Sequence, residues 1–205
     1  MRKKLFFTSI LTSFFIFNSC QENDAIKPNI VWLVIEDQSQ YFFPFYGDDT
    51  IELQNINQLL DNGIVYEGMN SPYPVCAPSR SAIITGMYPN SIGTGNQRAY
   101  SYYRAEREEQ EKQLGFPFYS SKFAEQIKPF TQILRENGYY TSNNDKEDYN
   151  FKLTNEAWDD SSSNASWENR EADKPFFSVF NFGITHESQI WLRDKPVSYT
   201  HLRAH

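Results

Sequence analysis

The apolar positions of this chain fall into short continuous runs that predict strands. Ile30–Ile35 is wholly apolar and rich in β-branched residues, and polar residues bound it on both sides. Phe176–Phe182 is a second strongly apolar run, and the shorter stretches 64–69 and 139–142 have a similar character. Runs of this length are typical of strands in a parallel or mixed sheet. We therefore predict four strands, with the first buried on both faces.

Segments with helical spacing separate these strands. Apolar residues recur at three- and four-residue intervals within 53–60, and Gly63 follows as the predicted C-cap. Two more helices are predicted to begin at Pro78 and Pro129, because proline is favoured in the first helical turn. The charged stretch 98–113 indicates an exposed insertion. Strands that alternate with helices predict the α/β class.

Polar residues that could carry chemistry follow three of the predicted strands, where ligands bind in open α/β sheets. Glu36 and Asp37 follow the first strand, Lys146 follows the third, and His186 follows the last. The two carboxylates could bind a hard cation such as Ca²⁺. The lysine could bind an anion as a point charge, and the histidine could transfer a proton near neutral pH. Solvated loops and a structural histidine are the alternative interpretations.

The charge balance limits the partners of this chain. The formal net charge is −7, and it becomes about −11 without the four basic residues of the terminal segments, Arg2, Lys3, Lys4 and Arg203. An acidic protein has no general attraction for nucleic acid or for an anionic membrane surface, so we expect no nucleic-acid partner. An anionic substrate would need a local cationic pocket or a metal ion.

The most specific pattern begins at Cys76 and reads C-x-P-S-R-x-x-x-x-T-G, with Arg80 as its fourth fixed position. A lone cysteine would be interpreted as a small buried thiol. The complete pattern resembles the signature of the sulfatase family. The resemblance implies that Cys76 is oxidised to formylglycine by a formylglycine-generating or anaerobic sulfatase-maturating enzyme. The aldehyde, once hydrated, would be the nucleophile.

The same resemblance implies a fold, an activity and roles for the site residues. The fold would be alkaline-phosphatase-like, with a mixed, mostly parallel sheet flanked by helices, here truncated. The activity would be hydrolysis of a sulfate ester, with a sulfated carbohydrate as the expected substrate. The modified Cys76 would bind one calcium ion together with Glu36 and Asp37. Arg80 would hold the formylglycine oxygens, Lys146 would bind the sulfate, and His186 would be a general acid or a sulfate ligand.

Two positions depart from the family pattern. Glu36 stands where the family usually has aspartate, and Asp148 stands two residues after Lys146, where the family has histidine. Two alternatives stay open, and these departures motivate the second of them. One is a phosphate-ester hydrolase of the same superfamily, although those enzymes normally have serine or threonine as the nucleophile. The other is a non-catalytic, glycan-binding surface lipoprotein.

The N-terminal segment 1–19 predicts a lipoprotein signal peptide. It has a basic start, a short apolar run and then Cys20 in a context that resembles a bacterial lipoprotein cleavage site. A lipid on Cys20 would anchor the exported protein to the membrane, at the bacterial outer membrane or in the periplasm, with 20–27 as a tether. Plain secretion is one alternative, and a Cys20–Cys76 disulfide is another.

The C-terminal segment 196–205 is interpreted as an artefactual tail. Residues 197–205 can be back-translated into a string that resembles a transposase-based sequencing adapter. Residues 28–195 are then expected to be the N-terminal part of a catalytic domain, which by itself would be inactive. The resemblance implies that the remaining metal ligands and a second lysine lie further along the protein.

Overall fold

The structure is a computed structural model that describes residues 26–48, 50–99, 106–119, 121 and 126–191. The strands within these ranges are β1 (Ile30–Ile35), β2 (Tyr140–Asn144), β3 (Asp160–Ser161) and β4 (Phe176–Phe182). The helices are α1 (Gln54–Asp61), α2 (Cys76–Thr85), α3 (Arg107–Leu114), α4 (Phe130–Glu136) and α5 (Ser188–Trp191). The predicted signal peptide, Cys20 and the predicted tail lie outside the described residues. None of the described helices has the length and apolarity needed to cross a membrane.

The four strands form one parallel sheet in the order β1-β4-β2-β3. β4 is an inner strand whose residues pair with β1 on one side, from Ile30↔Phe177 to Ile35↔Phe182, and with β2 on the other. Parallel strands need long crossover connections, and these connections carry α1 to α4. The predicted α/β class and its parallel sheet flanked by helices are therefore confirmed. The carboxyl ends of β1, β4 and β2 meet at one edge.

Aromatic side chains pack on both faces of β4, because successive residues of a strand point to opposite sides. The Phe177 ring lies 4.9 Å from Trp32 and 5.2 Å from Phe130 of α4, measured between ring centroids. On the opposite face, Trp167 stacks on Phe176 at 5.6 Å. The buried core cluster consists of Ile84, Tyr139, Tyr149, Phe151, Leu153, Ala157, Trp158, Phe177 and Val179. The core thus holds the amino-terminal half of β4, and its carboxyl end extends from there to the polar edge of the sheet.

The prediction that β1 is buried on both faces is wrong. Val31 is 44% exposed and Leu33 is 57% exposed. β1 is an edge strand of the described sheet and pairs there with β4 alone. An apolar run indicates a strand whose faces can be buried, but it does not determine how many strands and helices pack against it.

The predicted strand at 64–69 is also wrong, since this segment forms turns and irregular structure. Ile64 is 80% exposed and Met69 is 84% exposed, so no described strand or helix buries them. Helix α2 begins at Cys76, two residues before the predicted start at Pro78. Proline tolerates any position in the first turn because the amides there have no intrahelical partner.

Candidate functional site

The N-terminus of α2 presents the cysteine of the motif. Val75 is extended, and Cys76 is the first residue of the helix. Ala77 and Pro78 are buried behind it, whereas Cys76 is only partly buried. The first turn of a helix offers free N–H groups and a partial positive charge, which favour an anion. Arg80 lies four residues further on and therefore shares a helix face with Cys76.

Arg80 is the hub of a polar network. Its Nε donates to the Glu147 carbonyl at 3.0 Å, and its Nη1 donates to Glu36 Oε1 at 2.9 Å. Its Nη2 donates to the Lys146 carbonyl and to Asn181 Oδ1, both at 2.6 Å. The guanidinium has a rigid, planar set of donors. Arg80 thus ties α2 to β1, to the end of β4 and to the loop after β2.

Glu36 is a buried carboxylate that meets two cations. It is 5% exposed, and its Oε2 accepts a hydrogen bond from Lys146 Nζ at 2.5 Å, while Oε1 is bound by Arg80. A buried charge is costly unless it is paired and hydrogen-bonded. Two cations satisfy this requirement for Glu36. The carboxylate in turn fixes the two cationic side chains that the sequence predicted for the site.

Cys76 lies beside Asp148 and Lys146. Burial raises the pKa of the Cys76 thiol, the negative charge and hydrogen bond of Asp148 raise that pKa further, and the charge of Lys146 opposes them. The thiolate is the reactive form of cysteine. Because a raised pKa keeps the thiol protonated at neutral pH, the unmodified side chain is a poor nucleophile. This environment does not favour thiolate chemistry.

Two residues of the network, Arg98 and Asn181, were not predicted from the sequence. Asn181 donates to Asn143 Oδ1 at 3.0 Å and to the Asn144 carbonyl at 2.9 Å, in addition to binding Arg80. Its only sequence signal is a polar residue inside an apolar strand. Arg98 forms an ion pair with Asp148, and its place in a charged stretch gave no signal.

The segment after β4 lies against the residues that follow β1. Thr185 Oγ1 donates to the Glu36 carbonyl, and the Glu187 N–H donates to Asp37 Oδ2 at 2.9 Å. His186 lies between them, and its Nδ1 accepts the Ser188 N–H at 3.2 Å. A neutral ring that accepts at Nδ1 carries its proton on Nε2. In the tautomer that leaves Nδ1 free to accept, His186 has a donor at Nε2, one residue away from the Asp37 contact in the chain.

The predicted ligands of a metal ion are Glu36, Asp37 and Cys76. Carboxylate oxygens suit a hard cation, and Asp37 is exposed with a backbone φ of +52°. Glu36 fits less well, because each of its oxygens binds a cation of the protein. In the ranges that the structure describes, no group of three His, Cys, Asp or Glu side chains could hold a metal ion. Asp37 therefore fits the chemistry of a cation, but the described residues do not complete a coordination shell.

Comparisons of sequence point to one family. The family model described as Sulfatase matches residues 28–201. An ulvan-active sulfatase of Formosa agariphila is 44% identical over 165 residues, which are 80% of this chain and 26% of that protein. The N-acetylgalactosamine-6-sulfatase of Homo sapiens is 31% identical over 114 residues, which are 55% of this chain and 20% of that protein. The chain thus spans about a quarter or less of these relatives.

Comparisons of structure agree on the fold. A protein solved in complex with its substrate D-glucosamine-2-N,6-O-disulfate has a TM-score of 0.57 at 18% identity, covering 78% of this chain and 35% of that one. A 2-O GAG sulfatase has a TM-score of 0.55 at 16% identity, covering 76% of this chain and 35% of that one. The predicted alkaline-phosphatase-like fold is confirmed by these likenesses, and the chain corresponds to part of it.

Proposed function

Because this chain belongs to the sulfatase family, we propose that the full-length protein hydrolyses sulfate esters of a carbohydrate with a formylglycine made from Cys76. The observation that carries the proposal is the placement of Cys76. It begins α2, where the helix favours an anion, and it lies beside Lys146 in the network that Arg80 organises. The raised pKa of the thiol supports the need for a modification, because the unmodified side chain is not activated.

The candidate site residues have separate roles in this proposal. Arg80 and Glu36 hold the site in shape, since the guanidinium joins three strand ends through one helix. Lys146 supplies positive charge beside Cys76 for a sulfate group. His186 supplies an Nε2 proton for the leaving oxygen of the ester. A modified Cys76 supplies an oxygen nucleophile, and a divalent cation supplies further positive charge for the sulfate.

The proposed substrate is a sulfated glycan. Support comes from relatives whose names specify ulvan or N-acetylgalactosamine-6-sulfate and from a structural neighbour bound to a sulfated glucosamine. We further propose that a maturating enzyme modifies Cys76 and that a lipid on Cys20 anchors the exported protein at the outer membrane or in the periplasm. Residues 28–195 alone are proposed to be inactive, because the relatives are about four times as long.

Sulfate release by the full-length gene product, co-expressed with a maturating enzyme, tests the proposed function. We expect release of inorganic sulfate from a sulfated polysaccharide, and a Cys76 peptide that is lighter than the thiol form by the roughly 18 Da that separate the aldehyde from the thiol. Phosphate release with an unmodified thiol would instead support the phosphate-ester alternative. Glycan binding without turnover would support the non-catalytic alternative.

Calcium binding tests the proposed role of Asp37. We propose that Asp37 is a ligand whose partners include residues beyond this chain, and we expect Asp37→Asn to weaken Ca²⁺ binding about tenfold or more. Isothermal titration calorimetry of the full-length protein measures the affinity directly. Asp173→Asn is a matched control, since Asp173 is likewise exposed with a positive φ of +62°. Equal Ca²⁺ affinity in the two variants would contradict the assignment.

A further inference from the structure

Asp148 poses an electrostatic problem for the proposed substrate, and this inference rests on the proposed function. The Asp148 side chain is 12% exposed, and, besides burial, its charge raises the pKa of the Cys76 thiol. Arg80, one helical turn after Cys76, binds the carbonyls of Lys146 and Glu147 and so holds this loop against the start of α2. A sulfate group that reacts at Cys76 must therefore approach a carboxylate. Like charges in a desolvated site cost several kcal/mol. Something must offset the charge of Asp148 before an anion can bind there.

Arg98 is the cation best placed to offset that charge. It forms an ion pair with Asp148, and its side chain is 15% exposed. Lys146 Nζ is 3.6 Å from Asp148 but only 2.5 Å from Glu36, which it shares with Arg80. Arg80 and Lys146 therefore both pair closely with Glu36, and Arg98 is the close partner of Asp148. With Arg98 included, these three cations and two carboxylates leave one net positive charge for an anion.

The position of Arg98 is fixed by Asn150. The Arg98 backbone N–H donates to Asn150 Oδ1 at 2.8 Å. Asn150 Nδ2 donates to the Thr94 carbonyl at 2.8 Å and to the Asn96 carbonyl at 2.6 Å. Asn150 is 1% exposed, and its φ is +65°. A buried side chain thus fastens the segment of Arg98 to the segment of Asp148, which keeps the ion pair beside Cys76.

We propose that Arg98 is a positioning residue that neutralises Asp148, so that the sulfate group of the substrate can bind against Cys76. Asp148 stands where the family resemblance predicts a histidine, and Arg98 pairs with it. Arg98 acts through Asp148 and not through direct contact with the sulfate. Removal of the arginine is harmful because it leaves Asp148 with only the longer contact to Lys146, which Glu36 also binds, and removal of both charges is far less harmful.

A double-mutant cycle on the full-length protein tests this proposal. Arg98→Gln should raise the KM for the sulfate ester and the Kd for inorganic sulfate by about 30-fold or more, with a much smaller change in kcat. Addition of Asp148→Asn to that variant should return both constants to within about threefold of the wild type. A double variant that binds sulfate as weakly as Arg98→Gln would overturn the proposal, because a direct or purely structural role predicts no rescue.

Three further variants keep the proposal falsifiable if Arg98→Gln does not fold. Arg98→Lys should bind sulfate nearly as well as the wild type, and Asp148→Asn should bind it at least as tightly because one negative charge is removed. A tenfold loss in either would contradict charge compensation. Arg135→Gln is the matched control, because it breaks the Arg135–Asp159 ion pair outside the site. Its KM should not change.

Binding of inorganic sulfate also distinguishes a failure of this proposal from a failure of the proposed function. A wild-type protein that binds sulfate but releases none from an ester would fail as a sulfatase, and the binding cycle would still decide the role of Arg98. A wild-type protein that binds no inorganic sulfate would overturn the role of Arg98.

Discussion

Cys76→Ala in the full-length protein is expected to lower the turnover of a sulfate ester by about 10³-fold or more. The substitution removes the side chain that becomes the proposed nucleophile, and loss of a nucleophile typically has effects of this size or larger. Alanine is a good helix former at the first position of α2, so the fold should persist. Initial rates of sulfate release and a thermal melt together check both expectations.

Ile83→Ala is the control for this variant. Ile83 lies on the same helix but is 50% exposed, so its truncation should leave kcat and KM unchanged. A Cys76→Ala protein that keeps more than a tenth of wild-type turnover would contradict the assignment of Cys76 as the nucleophile. If Cys76→Ala loses both turnover and its cooperative melt, Cys76→Ser, which keeps the size of the side chain, replaces it as the test.

Glu36→Gln is expected to produce the largest loss of stability among single substitutions in the site. The change removes the only described counter-charge of Arg80, and it leaves Lys146 with Asp148 alone. Removal of one partner from a buried ion pair typically costs about 3 kcal/mol or more. Urea denaturation of the full-length protein measures the loss. Turnover should fall as well, because both cations lose the group that holds them.

Glu136→Gln is the matched control for that measurement. Glu136 is also paired with a lysine, Lys128, at 2.7 Å, but both side chains are about half exposed. Exposed ion pairs contribute little to stability, so its denaturation midpoint should stay at the wild-type value. Equal midpoints for Glu36→Gln and the wild type would show that the buried network is not a source of stability.

The sequence predicted those features that depend on local patterns. The bounds of Ile30–Ile35 and Phe176–Phe182 agree with β1 and β4, because a run of apolar residues between polar ones defines a strand on its own. The motif at Cys76 predicted the family from fixed spacing. The sequence placed Glu36 and Lys146 after strands, at the edge where ligands bind in such sheets, and the structure brings the two side chains together.

The predictions that were wrong, and the site residues that were not predicted, depend on contacts between residues far apart in the sequence. The exposure of β1 depends on which strands lie beside it, and an apolar run carries no such information. The segment 64–69 is apolar but has no partner strand in the described structure. Arg98 joins the site through Asn150, which lies 52 residues away. Both carboxylate oxygens of Glu36 bind cations because the tertiary structure brings Arg80 and Lys146 to it. The position of Glu36 after a strand does not predict these contacts.

The pairing of β1 with β4 has a consequence for the biosynthesis of this protein. The Phe176 N–H at the start of β4 donates to the Asn29 Oδ1, just before β1, so residues 147 positions apart in the chain meet here. On the ribosome, the sheet cannot close until β4 has been made. Cys76 emerges about 100 residues earlier, which corresponds to roughly 5 to 20 s of synthesis. Ala77 is fully buried once the chain has folded. The proposed maturating enzyme would therefore have to bind the backbone around Cys76 within that interval.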